Sequence, residues 1–93
     1  MKLDKETKKM AKDLGLSEAD AVVMQMKSQL YEHASEAINK SDLTHEVIAQ
    51  KVGTSRARIS RISKMGENSI SIELLVKIIV AVDQKLPFKF TAA

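Results

Sequence analysis

Hydrophobic residues recur at helical spacing in the long stretch that follows residue 16. The pattern predicts a helix from about Glu18 to Asn39, opened by Ser17 as the N-cap and by Asp20 three residues later. The apolar positions expected on its inner side are Val22, Met26, Leu30, Ala34, Ala37 and Ile38. Val23, Met24 and Tyr31 lie off this stripe and are candidates for a second surface, toward the N-terminal segment or a second subunit.

Two short helices joined by a tight turn are predicted between residues 44 and 65. Ile48, Ala49 and Val52 share one face of the first helix, and Gly53 follows where that helix must end. Ile59 and Ile62 form the inner face of the second helix. The predicted N-caps are Thr44 for the first helix and Thr54 or Ser55 for the second. The second helix is expected to end near Met65, with Gly66 as the left-handed residue that closes it.

A further helix is predicted from Ile72 to about Asp83, with Ser71 as its cap. Its sequence is apolar nearly all round, which is unusual for a helix with one face in water. One face is expected to join the core, and the other is interpreted as a subunit interface formed by Leu74, Ile78 and Ala81. A strand over residues 78–82 is the competing interpretation.

The two ends of the chain differ from this helical middle. Apolar Leu86, Phe88 and Phe90 alternate with polar residues, which predicts a strand that pairs with its copy in a second subunit. Lysine and acidic residues dominate residues 1–16, where a short docked helix and a mobile arm are equally compatible with the sequence. The sequence thus divides into an N-terminal arm (1–16), a helical domain (17–83) and a strand-like tail for dimerisation (84–93).

The composition of the 93 residues narrows the function classes. The chain has 44% hydrophobic residues, three aromatic residues and no cysteine, which favours an all-α fold and excludes disulfides and thiolate metal sites. No catalytic constellation, phosphate loop or metal-ligand pattern is present, so we expect neither an enzyme nor a cofactor or metal. No apolar run is long enough to span a bilayer, and a cytoplasmic protein is expected.

Positive charge is concentrated on the predicted helix pair. The net charge is only +3, but residues 50–65 contain five basic residues and no acidic one. Such a segment attracts polyanions more strongly than the total charge suggests. On charge alone, a solvated helix face would be the favoured interpretation. The hydrophobic register around it favours a DNA-binding protein, and hence association with the nucleoid.

The motif that runs Ile48-Ala49-x-x-Val52-Gly53, followed by Ile59 and Ile62, resembles the helix-turn-helix of the Xre/lambda-repressor-like family over about residues 21–82. The order of segments is similar to that of small HigA-type antitoxins. The resemblance implies a bundle of four to five helices with a short C-terminal tail, a homodimer on palindromic double-stranded DNA, and a possible RelE/HigB-like toxin partner. Thr54 departs from the family, which more often has an apolar residue at that turn position.

The same resemblance assigns some of the site residues. Those implied to face DNA bases are Ser55, Arg56, Ala57, Ser60 and Arg61. Position on the two helices, rather than the resemblance, assigns phosphate contacts to Thr44, His45, Gln50, Arg58 and Lys64. For His45 an exposed position beside the helix cap, without function, remains an alternative. The other functional alternatives are a protein-interaction module that neutralises a toxin, a stand-alone phage-type regulator, and a purely structural domain.

Overall fold

The computed structural model describes residues 5–82, apart from the side chain of Thr7, and all of its regular structure is helical. The elements are α1 (Lys5–Asp13), α2 (Glu18–Lys40), α3 (His45–Val52), α4 (Arg56–Ser63) and α5 (Ile72–Val82). The prediction of an all-helical bundle is confirmed. The strand predicted at Leu86, Phe88 and Phe90 lies outside the described residues.

Helix α2 is the longest element, and its start follows the predicted cap. The Asp20 amide donates to Ser17 Oγ at 3.1 Å, and the Ser17 amide donates to Asp20 Oδ2 at 3.4 Å. This reciprocal pair satisfies two amides that have no partner inside the helix. At the other end the Ser41 amide donates to the Ile38 carbonyl, so α2 ends at Lys40, one residue later than predicted.

The core lies where α2, α3, α4 and α5 meet. Its largest side chains, all fully buried, are Leu30, Ile48, Ile59, Ile62, Leu75, Ile78 and Ile79. Burying one such aliphatic side chain contributes about 1.5–3 kcal/mol. Four helices therefore depend on one shared aliphatic cluster, and α1 packs outside it, against α2.

The predicted stripe on α2 is wrong in the N-terminal half of the helix. Val22 and Met26 are only half-buried, whereas Ala21 and Gln25 are buried. The reason is geometric: residues four apart turn by about 40° around a helix at each step, so a long series of such steps leaves the core face. Ala21 borders a shallow hollow together with Ala11 of α1, so this half of α2 faces the N-terminal helix.

The end of α4 also differs from the prediction. The helix ends at Ser63, and Met65, not Gly66, is the left-handed residue, with φ of 57°. The Met65 amide donates to the Ile62 carbonyl at 3.0 Å, and the Gly66 amide donates to the Arg61 carbonyl at 2.8 Å. These two bonds form a Schellman motif, whose left-handed position precedes the residue that closes the longer bond.

The turn between α3 and α4 requires a backbone conformation that glycine adopts without strain. Gly53 has φ of 77°, and its amide donates to the Ala49 carbonyl at 2.9 Å. A Cβ placed on Gly53 would meet no atom within 4 Å, so the cost of a side chain there is conformational rather than steric.

We therefore expect Gly53→Ala to lower the free energy of unfolding by about 1–2 kcal/mol, the cost of a left-handed residue that has a Cβ. Urea unfolding followed by circular dichroism measures this change. Gly66→Ala is the matched control, because Gly66 lies outside the left-handed region and a Cβ there would make only an ordinary contact of 3.7 Å with the Arg61 carbonyl oxygen. Equal losses in the two variants would contradict this explanation.

Candidate nucleic-acid interface

Helices α3 and α4 are each capped at the N-terminus by a side-chain hydroxyl. Thr44 Oγ1 accepts from the Val47 amide at 3.1 Å and begins α3. Ser55 Oγ accepts from the Arg58 amide at 3.1 Å and begins α4, so Ser55 rather than Thr54 is the cap. Two short helices that would be marginal alone thus have defined starts.

Helix α4 has one buried side and one exposed side. Ile59 and Ile62 are fully buried beneath it. At about 100° per residue, the arc opposite Ile59 is centred on Ala57, Arg61 and Lys64. All three are exposed, as is Arg56 in the first turn of the helix. The exposed arc of α4, meaning Arg56, Ala57, Arg61 and Lys64, is the surface available to a ligand.

One margin of this arc is attached to α3. His45 Nδ1 lies 2.8 Å from Ser60 Oγ, a hydrogen-bond distance, and both side chains are partly buried. Ser60 was predicted to face bases and His45 to face phosphate. The structure joins them to each other at the seam between the two helices, so that the position of α4 is fixed relative to the N-terminus of α3.

The opposite margin carries two arginines that share one carboxylate. Arg61 donates through Nε and Nη2 to Glu67 Oε2, at 3.3 and 3.2 Å. Arg58 Nε lies 3.4 Å from the same oxygen, an ion-pair distance, although Nε makes no hydrogen bond. Arg58 Nη2 also donates to the Ser69 carbonyl at 2.9 Å. Arg58, predicted to contact phosphate, is therefore turned toward the loop that follows α4.

Glu67 is held in place by α2. The Tyr31 hydroxyl accepts from the Glu67 amide at 2.8 Å and donates to the Glu67 carbonyl at 3.1 Å. These bonds satisfy both backbone polar groups of a residue whose side chain is only 16% exposed. Sequence reasoning missed this role of Tyr31, although its position off the stripe of α2 was visible.

The C-terminus of α4 is tied to α2 as well. The Ser63 carbonyl accepts from Ser35 Oγ at 2.8 Å and from Asn39 Nδ2 at 2.9 Å. A carbonyl in the last turn of a helix has no partner within that helix. Ser35 and Asn39, neither of which was predicted to matter, supply the partners here and fix the orientation of α4.

The basic patch differs from the one that the sequence window suggested. Lys51 borders a hollow between α3 and α5 together with Lys77, rather than the exposed arc of α4. Glu67, which lies two residues beyond the basic segment 50–65, forms ion pairs with Arg58 and Arg61. The positive charge directed outward from α4 is therefore that of Arg56, Arg61 and Lys64, with one carboxylate at its margin.

The remaining predicted residues occupy varied positions. Thr44, which precedes α3, and Gln50, which lies on α3, are both exposed. The Ser55 hydroxyl is bonded as the cap of α4. Of the interface candidates, Ile78 is fully buried in the core of the single chain, so its side chain cannot reach a second subunit. Leu74 is half-buried and packs against that core. Ala81 is half-buried, and Val80, which was not predicted, is 47% exposed.

Within residues 5–82 no group of histidine and carboxylate side chains could hold a metal ion. None of the helices described there is long and apolar enough to cross a membrane.

The clamp on Glu67 gives a stability test. We expect Tyr31→Phe to lower the free energy of unfolding by about 1–2 kcal/mol. The substitution removes the hydroxyl that bonds both the amide and the carbonyl of Glu67, while the ring still packs. Chemical unfolding of Ser41→Ala is the control, since its hydroxyl bonds one amide, that of Leu43, at an exposed site. If the two variants lost the same amount, the clamp would not be a significant contribution.

Comparison with known proteins places this geometry in a family. A family model described as a helix-turn-helix domain matches residues 10–89, which is most of the chain. A search of curated proteins and a search of solved structures found no match. In helix-turn-helix proteins the second helix of the motif enters the major groove of DNA. Both the match and the arrangement of α3 and α4 lead to one conclusion: the chain belongs to a family of helix-turn-helix domains, the kind of domain found in DNA-binding regulators.

Proposed function

We propose that this protein is a sequence-specific transcriptional regulator that places the exposed arc of α4 in the major groove of double-stranded DNA. The observation that carries the proposal is the division of α4 into a fully buried isoleucine side and an outer side with three exposed basic residues. A packed inner side holds the helix rigid, and the outer side offers donors that can reach base edges.

Arg56 and Arg61 are the proposed base-reading residues. Within residues 5–82 no hydrogen bond or ion pair holds the Arg56 side chain, and Arg56 lies at the end of the recognition helix that contacts bases first. Both arginines can form paired hydrogen bonds with guanine, and the Ala57 methyl group can contact the methyl group of thymine. Ser55 and Ser60, whose hydroxyls already have intramolecular partners, are assigned supporting positions.

Phosphate contacts are proposed to flank this reading surface. The first amides of α3 have no carbonyl partner within the helix. Thr44 Oγ1 accepts a hydrogen bond from the Val47 amide, and the amides that precede Val47 in α3 can donate to a phosphate oxygen. His45 and Gln50 lie on the same helix, and Lys64 follows the end of α4. These groups fix the register of the protein on DNA without reading its sequence.

We expect Arg56→Ala to weaken binding to a duplex selected from a randomised library by about 10- to 100-fold, the value of one paired arginine–guanine contact. Arg61→Ala should act in the same direction. Fluorescence anisotropy at fixed salt measures both. Lys9→Ala removes the same charge from α1, which packs on α2 away from α4, and should change the affinity by less than about twofold. Unchanged specific affinity in both arginine variants would remove the site assignment.

The regulator is further proposed to act as a homodimer and repressor on a palindromic operator. A two-fold dimer would place two recognition helices about 34 Å apart, one turn of DNA. Exposed Val80 and half-buried Ala81 lie on the last turn of α5, immediately before the tail that contains Leu86, Phe88 and Phe90. An exposed apolar residue that is followed in the sequence by an alternating apolar segment supports an interface at this end of the chain.

The dimer is tested by Val80→Asp, which we expect to shift the protein from dimer to monomer in sedimentation equilibrium, because a buried unpaired carboxylate strongly opposes association. Val47→Asp is the matched control: Val47 is also an exposed valine, 36% against 47% for Val80, and lies on α3 outside the proposed interface. A wild-type monomer at high concentration, or dissociation caused equally by both substitutions, would contradict the proposed interface.

A second proposed role is that of an antitoxin that binds a RelE/HigB-like toxin. It is favoured by the exposure of Met10 and Leu14 at the C-terminal end of the N-terminal helix, since large exposed apolar residues often mark a protein partner. The role is compatible with repression. A neighbouring reading frame for a small basic protein that co-purifies with this chain would support it, and the absence of such a frame would count against it.

A further inference from the structure

We propose that Glu67 is a specificity-determining residue, which holds the Arg61 guanidinium in the orientation needed for end-on recognition of a guanine. This inference rests on the proposed function and concerns how its reading residue is positioned. Glu67 lies outside the helix-turn-helix, in the loop after α4, and has the opposite charge to the surface that it adjoins.

The carboxylate occupies a fixed position. Tyr31 binds both the amide and the carbonyl of Glu67, so the backbone at this residue is tied to α2, the longest helix of the fold. The Glu67 side chain is 16% exposed, whereas that of Arg61 is 53% exposed. A largely covered acceptor therefore holds a largely exposed cation.

The contact uses one edge of the guanidinium. Glu67 Oε2 accepts from Nε at 3.3 Å and from Nη2 at 3.2 Å, both on the side edge of the group. Arginine has five N–H donors in a rigid plane, so Nη1 and the outer hydrogen of Nη2 remain at its end. Those two donors lie side by side and match the O6 and N7 acceptors of guanine.

Holding the arginine in advance favours binding because less side-chain freedom is lost when DNA arrives. The same carboxylate also opposes the phosphates of DNA electrostatically. The two effects differ in what they discriminate: orientation strengthens binding only to the correct base, whereas charge repulsion weakens binding to every sequence. Removing the charge alone therefore separates them.

Arg58 supports this arrangement from the inner side. Its Nη2 is held by the Ser69 carbonyl and its Nε lies 3.4 Å from Glu67 Oε2, so a second cation faces the same carboxylate oxygen. Two arginines against one carboxylate also leave one net positive charge at this margin for DNA.

The test is Glu67→Gln in the full chain, with affinity measured for the duplex that wild type selects, for the same duplex with single guanines replaced, and for random-sequence DNA. The guanine read by Arg61 is the one whose preference disappears in Arg61→Ala. We expect Glu67→Gln to lower affinity for the selected duplex by about tenfold and to relax preference at that guanine, with random-sequence affinity unchanged or higher. In the Arg61→Ala background, Glu67→Gln should cause no further loss of specificity.

Glu73→Gln is the matched control, because it removes an exposed carboxylate that pairs with Lys77 on α5. It should leave base preference unchanged. Equal or tighter binding of Glu67→Gln to the selected duplex, with the guanine preference intact, would overturn the proposal while leaving DNA binding established. A wild-type protein that selects no sequence would overturn both. Thermal unfolding of each variant verifies that the Tyr31 clamp on the backbone is retained.

Discussion

The burial of Ile59 and Ile62 beneath α4 is the interaction on which the rest of the structure depends. Both side chains are fully covered by a core that α2, α3 and α5 share. An eight-residue helix has little stability of its own, so α4 exists because this burial holds it. The same constraint determines its outward side: once Ile59 faces inward, Ala57, Arg61 and Lys64 must face solvent.

Polar contacts then determine how α4 is oriented. His45 joins Ser60 on one margin, and Glu67 holds Arg58 and Arg61 on the other. At the end of α4, Ser35 and Asn39 of α2 donate to the Ser63 carbonyl. Apolar packing determines which side of α4 faces inward, and the directional hydrogen bonds at its margins and C-terminus restrict its remaining freedom. The exposed arc of α4 is thus fixed on three sides before any ligand is present, which reduces the entropy that binding would cost.

Local patterns made the helices, the caps at Ser17, Thr44 and Ser71, and the end of α3 at Gly53 predictable, because spacing and capping depend on residues close in sequence. The site was predictable only in part. Glu67 is near in sequence, but its role comes from Tyr31, which is 36 residues away. Ile78 illustrates the same limit: an apolar residue on a helix that is apolar nearly all round can face the core or a partner, and only the packing of α5 decides.

The most direct test of the central claim, that DNA meets the exposed arc of α4, is to map backbone amide shifts by NMR as selected duplex is added to isotope-labelled protein. We expect the largest changes at the start of α3 and over residues 55–64, and a change at Glu67 that accompanies the change at Arg61. Changes centred instead on α1 and the N-terminal half of α2, with α4 unaffected, would contradict the claim.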